Sequence, residues 1–342
     1  MDAKNIKIPL RVTPSEATVT IVKTQQFTVR GGTPPYSYKV FSGGGSMSGS
    51  TYTAPSAIGT AVVTVTDAAG SSTAILITIV TDANCPANFI PVPKNTAVGT
   101  TADFCVSKYE MKCTNDTTGA ACSGTPVSQA ANQPWVSISQ TNAKIACNAL
   151  GGQYHLMTNA EWMTVARNIE ATAANWSSGA VNSGALNQGH SDGTPAATLA
   201  ASTDDDACFG TGQTCSSTTW DAQRRTHKLA SGHTIWDFSG NAKDFIDWYV
   251  PTGRAASGNA SYVELNAQSA GASMVLSTFQ SNNTALTSGN GIGKYWPGTD
   301  SDGDGYAGRG GSYTNVSNQS GIYHLDMVAS VDTRIGFRCA YQ

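Results

Sequence analysis

Arg309-Gly310-Gly311-Ser312-Tyr313 opens the last stretch of the chain and Gly336-Phe337-Arg338-Cys339 closes it. Between them run about twenty residues that follow neither a helical nor a strand period. Asn315, Ser320, Tyr323, His324 and Asp326 lie there among glycines and small polar side chains, and no cysteine lies inside the bracket. Working outward, the segment from Tyr295 to Asp332 also carries Trp296, Tyr306 and Tyr313. Aromatic anchors amid small polar residues suit recognition loops, because tyrosine supplies contact area at low entropic cost. Tyr295, Trp296, Tyr306, Asn315, Tyr323, His324 and Asp326 are the expected ligand-binding set, with Tyr306, Tyr323 and His324 expected at the surface.

The chain has 342 residues, enough for two domains and a substantial core. Charged residues make up 13% and the formal net charge is −3, without clustering of Lys or Arg. A basic face for nucleic acid is therefore excluded, since the phosphate-neutralising contribution would be nearly absent. Abundant Gly, Ser, Thr, Ala and Asn suit a β-rich, loop-rich extracellular protein. No segment is long and apolar enough to span a bilayer as a helix. Met1 to Asn5 contain no apolar run of a signal peptide. Either a leader has been removed, or the protein reaches the outside by another route, as a virion component does.

Short alternating runs, Ala17–Val22, Gln26–Val29, Ala61–Thr66 and Ala74–Val80, predict strands. Gly31-Gly32-Thr33-Pro34-Pro35 and Gly43-Gly44-Gly45 break any helix between them. Gly-Gly-Thr-Pro-Pro-Tyr, then Tyr-Thr-Ala-Pro at 52–55 and Val-Thr-Asp-Ala-Ala-Gly at 65–70, resemble a bacterial immunoglobulin-like domain. Such modules act as spacers, and no chemistry is visible in this one. The expected boundaries are 1–82 for this all-β sandwich and 83–342 for the second domain. In the second domain Thr141 is expected to cap a helix over Asn142–Leu150 that stops at Gly151-Gly152. Thr158-Asn159-Ala160-Glu161 reads as a capping box, followed by Trp162, Val165, Ala166 and Ile169 on a buried helix face.

Several pieces of the second domain resemble, in order, the formylglycine-generating (sulfatase-modifying factor) domain, a variant of the C-type-lectin fold. Phe89–Pro93 and Phe104–Glu110 look like its opening strands, and Pro134-Trp135-Val136-Ser137 precedes its first helix. His155-Leu-Met-Thr-Asn-Ala-Glu-Trp162 resembles the family's Arg-Leu-Pro-Thr-Glu-Ala-Glu-Trp, and Trp236–Asn241 the approach to its Gly-Asn-Val-Trp-Glu-Trp motif. Arg309-Gly-Gly-Ser-Tyr and Gly336-Phe-Arg-Cys complete the set. The implied fold class is an N-terminal all-β immunoglobulin-like sandwich followed by an α+β C-type-lectin-like domain rich in loops.

The departures bear on function. In the family's oxidases a cysteine sits two residues after the motif's aromatic and a second follows five later, and the two thiolates bind copper(I). Those positions hold Asn315 and Ser320, which cannot replace soft sulfur ligands. No copper and no formylglycine-generating activity are expected. A sulfoxide-synthase branch needs a separate His-rich iron domain, and none of the five histidines lies in the first domain. His155 reads as a structural hydrogen-bonding residue, and His227 and His233 as parts of a hairpin. The family's calcium loop becomes Gly240-Asn241-Ala242-Lys243-Asp244-Phe245, keeping oxygen ligands at Asn241 and Asp244. Independently, Asp300, Asp302 and Asp304 have the spacing of a calcium loop, with Gly311 where its bidentate glutamate would stand. Asp204-Asp205-Asp206 reads as an exposed acidic turn.

The chain has eight cysteines, an even count that favours four disulfides and an oxidising compartment. The fold implied by the resemblance pairs Cys147 with Cys339. Cys113 with Cys122 and Cys208 with Cys215 would close short loops, leaving Cys85 with Cys105. The whole is expected to be a secreted or surface-displayed adhesin, without enzymatic activity, whose lectin-like head binds a glycan or surface protein, with calcium as a candidate cofactor. An oxidase-like enzyme using a different metal is the main alternative. A phage or fibre-tip binding protein, trimeric or diversity-generating, is the other.

Overall fold

The computed structural model describes residues 8–20, 23–55, 59–80, 85–204, 206–215, 220–251, 261–267, 278–298, 305–316, 318–328 and 331–342. The chain divides into two compact units, Met1–Asn84 and Cys85–Gln342.

Period-two alternation organises the first unit. Along strand Ser72–Val80 the side chains of Ile75, Ile77 and Ile79 are buried, while Leu76 between them is 51% exposed. This strand pairs with Gly59–Thr66 on one side and, in parallel, with Glu16–Thr20 on the other. Ser37–Ser42 completes the four-stranded sheet. The expected strand Gln26–Val29 is interrupted at Phe27. Thr24–Gln26 pairs with Thr51–Thr53, whereas Thr28–Arg30 pairs with Arg11–Thr13. Phe27 sits at this change of sheet, its side chain buried and its N–H donating to the Ser50 carbonyl at 2.9 Å.

The second unit is β-rich, with two α-helices among its described residues. A six-stranded sheet runs in the order Val263–Glu264, Lys294–Trp296, Leu325–Val328, Tyr306–Arg309, Lys243–Tyr249, Ile335–Phe337. A four-stranded sheet runs Phe89–Val92, Phe104–Ser107, Cys339–Tyr341, Tyr154–Leu156. The expected opening strands therefore pair with each other and with the last strand of the chain. Phe337 ends a strand of one sheet and Cys339 begins a strand of the other. Arg338, fully buried between them, donates to Asp244 Oδ2 (2.7 Å), to the Ser107 carbonyl (3.2 Å) and to the carbonyls of Trp236 and Asp237.

Helix α1 spans Gln140–Asn148 and is capped by Ser139, not Thr141. Ser139 has the extended backbone a cap requires and its Oγ accepts from the Asn142 N–H at 3.1 Å, which leaves Thr141 inside the first turn. Helix α2 spans Asn159–Glu170 with the capping box formed as expected, Glu161 Oε2 accepting from the Thr158 N–H at 2.8 Å. Trp162, Val165, Ala166 and Ile169 are buried, and Trp162 stacks on Phe238 at 3.8 Å. Trp162 Nε1 donates to the Ile322 carbonyl at 2.8 Å, and the buried Arg309 reaches back to Asn159 Oδ1 at 2.5 Å. The capping-box helix and the Arg-Gly-Gly-Ser strand thus lock onto one another.

Three disulfides form: Cys85–Cys105, Cys147–Cys339 and Cys208–Cys215. The Cys147–Cys339 bridge ties α1 to the last strand across 192 residues. In the chain-entropy account, closing a loop of that size stabilises the fold by roughly 5 kcal/mol. The expected fourth bridge is absent. Cys113 and Cys122 are free thiols, and Cys113 Sγ donates to Asn115 Oδ1 at 2.7 Å.

Removing Arg338 would strand the Asp244 carboxylate and three carbonyls in the interior. An Arg338→Ala variant is expected to lose about 3–5 kcal/mol of unfolding free energy in a denaturant titration. A loss under about 1 kcal/mol would show that the two sheets are joined by other means.

Candidate functional site

Strand Lys243–Tyr249 separates two polar networks, because successive side chains of a strand point to opposite faces. On one face lies Asp244 with Arg338. Beside it Arg225 grips Asp237 through Nε (2.7 Å) and Nη2 (2.6 Å), and Asn241 Nδ2 donates to Glu110 Oε2 at 2.6 Å. Asn241, with φ of 61°, also accepts from the Leu199 N–H at 2.7 Å. Burial, reinforced by Asp237, pushes the Glu110 carboxyl up to about 8. Burial pushes Asp244 up to about 6 against the pull of Arg338, and pushes the Lys112 ammonium down to about 8. A calcium ion does not fit this set: the Asn241 oxygen is occupied, Asp244 is paired, and Arg225, Lys112 and Arg338 already supply positive charge. Asn241 and Asp244, the expected calcium ligands, are here bonded within the buried network.

On the other face Lys243 stands where the family motif has tryptophan, and its ammonium contacts Asp326 Oδ2. The Tyr262 hydroxyl donates to the same oxygen at 3.1 Å. His324 Nε2 lies 3.0 Å from Asp326 Oδ1 without hydrogen-bond alignment, while Nδ1 meets the Gln319 carbonyl at 2.6 Å. Burial alone would raise Asp326, but the His324 and Lys243 charges hold it well below the usual carboxylate range. Burial and the Asp326 charge drive the Tyr262 phenol upward, so it stays protonated and donating.

Asn315 joins this chain of contacts to the bracket. Its Nδ2 donates to the Tyr262 oxygen (2.7 Å) and to Gln319 Oε1 (3.3 Å), while its Oδ1 accepts from the Ser312 N–H (2.7 Å) and Oγ (2.9 Å). Ser320 is fully buried, its Oγ 2.8 Å from the Gly310 carbonyl and 3.0 Å from that of Gln188. Both positions where the oxidases would carry thiolates are neutral oxygen and nitrogen groups already engaged within the chain. Copper(I), which selects sulfur, does not fit them.

Above this floor Tyr262, Trp296, Tyr313, Gln319 and Arg334 are half-buried, and Thr314, Val316 and Asn318 are exposed. Tyr262 and Trp296 rings lie 5.0 Å apart, and Tyr313 stacks on His190 at 6.1 Å. Arg334, paired with Asp332, is within electrostatic reach of both Tyr262 and Tyr313.

Of the expected ligand-binding residues, Trp296 and Asn315 belong to this site. Tyr295 is fully buried beside Phe279, and Tyr306 packs on Tyr249 at 4.7 Å. Tyr323 and His324 are also fully buried, contrary to the expected exposure. The Tyr323 hydroxyl bonds Glu170 of α2, and His324 turns inward to Asp326. Asp326, itself 1% exposed, is a structural centre that a ligand could not touch directly. Sequence reading missed Tyr262, Tyr313, Gln319 and Arg334. Asp300, Asp302, Asp304 and Asp205 lie outside the described residues. His155 is a structural hydrogen-bonding residue as expected, 2.8 Å from Glu161 Oε1, and His227 belongs to the expected hairpin. Among the described residues, Cys208, Cys215 and Asp221 converge as a metal-like group, but both sulfurs are bridged.

A family model described as the sulfatase-modifying factor enzyme 1-like domain matches residues 43–342, beginning inside the first compact unit. No curated protein matches the chain.

The buried network gives a pH signature. A carboxyl raised by folding binds protons that the unfolded chain has released, so stability falls as pH rises from its unfolded value through its folded one. Glu110, raised from 4.5 to about 8, contributes a decline in stability between pH 5 and 8, opposed up to about pH 6.5 by His227, which burial pushes down to about 3. Lys112, lowered from 10.5 to about 8, works in the opposite sense above pH 8. Glu110→Gln is expected to flatten the decline between pH 5 and 8 in thermal melts. An unchanged slope in that variant would assign the proton uptake elsewhere.

Proposed function

Because the chain belongs to the family of sulfatase-modifying factor enzyme 1-like domains, we propose that it is a member in which the frame has been kept for binding. In this reading it is an extracellular adhesin or receptor-binding protein. An immunoglobulin-like first unit acts as spacer, and a C-type-lectin-like second unit takes a glycan or a surface-protein ligand. The observation that carries the reading is the site itself. Asn315 and Ser320 are engaged in internal hydrogen bonds below a rim of Tyr262, Trp296 and Tyr313. Aromatic rings at such a rim stack on the apolar faces of sugars or on side chains of a protein ligand. The amides of Gln319 and Asn318 supply adaptable hydrogen bonds. Disulfides support an oxidising, extracellular setting. A fibre-tip protein, trimeric or not, would use the same rim.

A second reading, an enzyme of the same family working without the thiol pair, draws on one observation. His324, Asp326 and Tyr262 place an imidazole, a carboxylate and a phenol in one chain of contacts, a set able to move a proton. The full burial of His324 and Asp326 favours a structural use of the same bonds.

A glycan-array and whole-cell binding screen tests the first reading, run with calcium and with EDTA because the Asp300, Asp302 and Asp304 loop remains a candidate calcium ligand. Tyr262→Ala and Trp296→Ala are each expected to weaken binding about tenfold or more, with the Trp296 variant melting as the wild type does. Full binding by both variants would refute the rim. Oxygen consumption with a thiol-bearing peptide and added copper is expected to stay at background. Turnover above it would favour the enzyme.

A further inference from the structure

Cys113 and Cys122 stand apart from the six bridged cysteines. Cys113 ends strand Met111–Cys113, which pairs with Pro126–Ser128. The loop between them is drawn back on itself. The Asp116 carboxylate accepts from the N–H groups of Thr118 (2.9 Å) and Ala121 (2.8 Å), and Asn115 Nδ2 donates to Ser123 Oγ at 2.9 Å. Asn115 ties the two ends together, its Oδ1 accepting from Cys113 Sγ at 2.7 Å while its Nδ2 holds Ser123, the neighbour of Cys122, so that Cys122 is folded back into interaction with Cys113. Cys113 is fully buried and Cys122 is half-buried. From Cys122 to Pro126 the loop forms one wall of a cavity of about 540 Å³, and Asn142, Ile145 and Ala149 on the outer side of α1 form another.

We propose that Cys113 and Cys122 are an exchangeable dithiol–disulfide couple that reacts with low-molecular-weight disulfides and thiols, entered through Cys122 from the cavity. Oxidation by a small disulfide such as oxidised glutathione proceeds in two displacements. Burial, reinforced by Cys113, pushes the Cys122 thiol upward, so solvent base must remove its proton as the small disulfide approaches. Cys122 Sγ then attacks one sulfur, forming a mixed disulfide and releasing one glutathione thiolate. Cys113, losing its proton to solvent, then attacks Cys122 Sγ and releases the second glutathione. Two electrons leave the cysteine pair and two thiols of glutathione are formed. Reduction is the same sequence reversed. Closing the bond pins the loop wall to the strand end, so the cavity's rim is fixed in the oxidised protein and free to shift in the reduced one. Neither displacement touches the Tyr262–Asn315 site, so the couple is independent of the binding reading.

Equilibrating the native protein in glutathione buffers of graded potential, followed by acid quench, alkylation and peptide mass mapping, tests the couple. Cys113 and Cys122 are expected to be alkylated together at the reducing end and bridged to each other at the oxidising end, with one shared midpoint. Cys147–Cys339, both of whose cysteines are fully buried, is expected to stay bridged throughout. In Cys113→Ser, Cys122 is expected to accumulate as a glutathione adduct, because the resolving thiol is gone. The proposal fails if the pair stays reduced in oxidised glutathione alone or stays bridged in reduced glutathione alone. It also fails if the wild type stops at the Cys122 adduct.

Discussion

Arg338 is the residue on which the second unit's architecture turns. It occupies the single step between the six-stranded and the four-stranded sheet, and no part of its side chain reaches water. A buried guanidinium is tolerable only if its donors are satisfied and its charge is met. Asp244 from one sheet, Ser107 from the other, and the carbonyls of Trp236 and Asp237 meet those needs together. Satisfying the cation therefore requires both sheets and the loop before Gly240 to be in place. Asp237 holds its own arginine, Arg225, so a misplaced loop would leave two buried charges unpaired at once.

The same strand that presents Asp244 to Arg338 presents Lys243 to Asp326, one residue earlier and on the other face. Asp326 then orders His324 and Tyr262, and Tyr262 orders Asn315. The floor of the candidate site is thus an extension of the fold's own ion pairing. Lys243, Tyr262 and Asn315 tie this floor to the sheet, while the aromatic side chains above it are half-buried. The change from the family's aromatic to Lys243 and the acid at Asp326 are two halves of one ion pair, which neither position reveals alone.

What was legible in the sequence was local or carried by contiguous motifs. The capping box at Thr158 and Glu161, the alternation of Ile75, Ile77 and Ile79, and the Cys147–Cys339 bridge of the resemblance all stand in the structure. Local chemistry was misread where two caps competed: Ser139 and Thr141 both suit the role, and only the backbone geometry at Ser139 decides. Exposure of the aromatic residues was not legible. Tyr323 and Trp296 look alike as aromatics in a polar segment. Tyr323 is buried because Glu170, 153 residues earlier, receives its hydroxyl, and Trp296 stays half-buried beside Tyr262. Tyr262 itself sits in a Ser, Gly and Ala-rich stretch with no periodic or motif signal around it. Its partners, Asn315 and Asp326, are more than fifty residues away in sequence.

The bracket that announces the family also explains why its interior can change chemistry without losing shape. Gly310 and Gly311 both hold left-handed backbone, at φ of 83° and 84°, which glycine alone adopts at no steric cost. A Cβ on Gly311 would come within 2.6 Å of Ser320 Oγ and 2.9 Å of its Cα. The approach of Ser320 to the glycine pair is therefore set by backbone, and it is the side-chain atom at that fixed point that decides reactivity. Sulfur there would leave a soft ligand beside the Asn315 position. A hydroxyl instead bonds the Gly310 carbonyl and closes the floor. At these two positions the side chains close on their own chain, Ser320 on the Gly310 carbonyl and Asn315 on Ser312 and Tyr262.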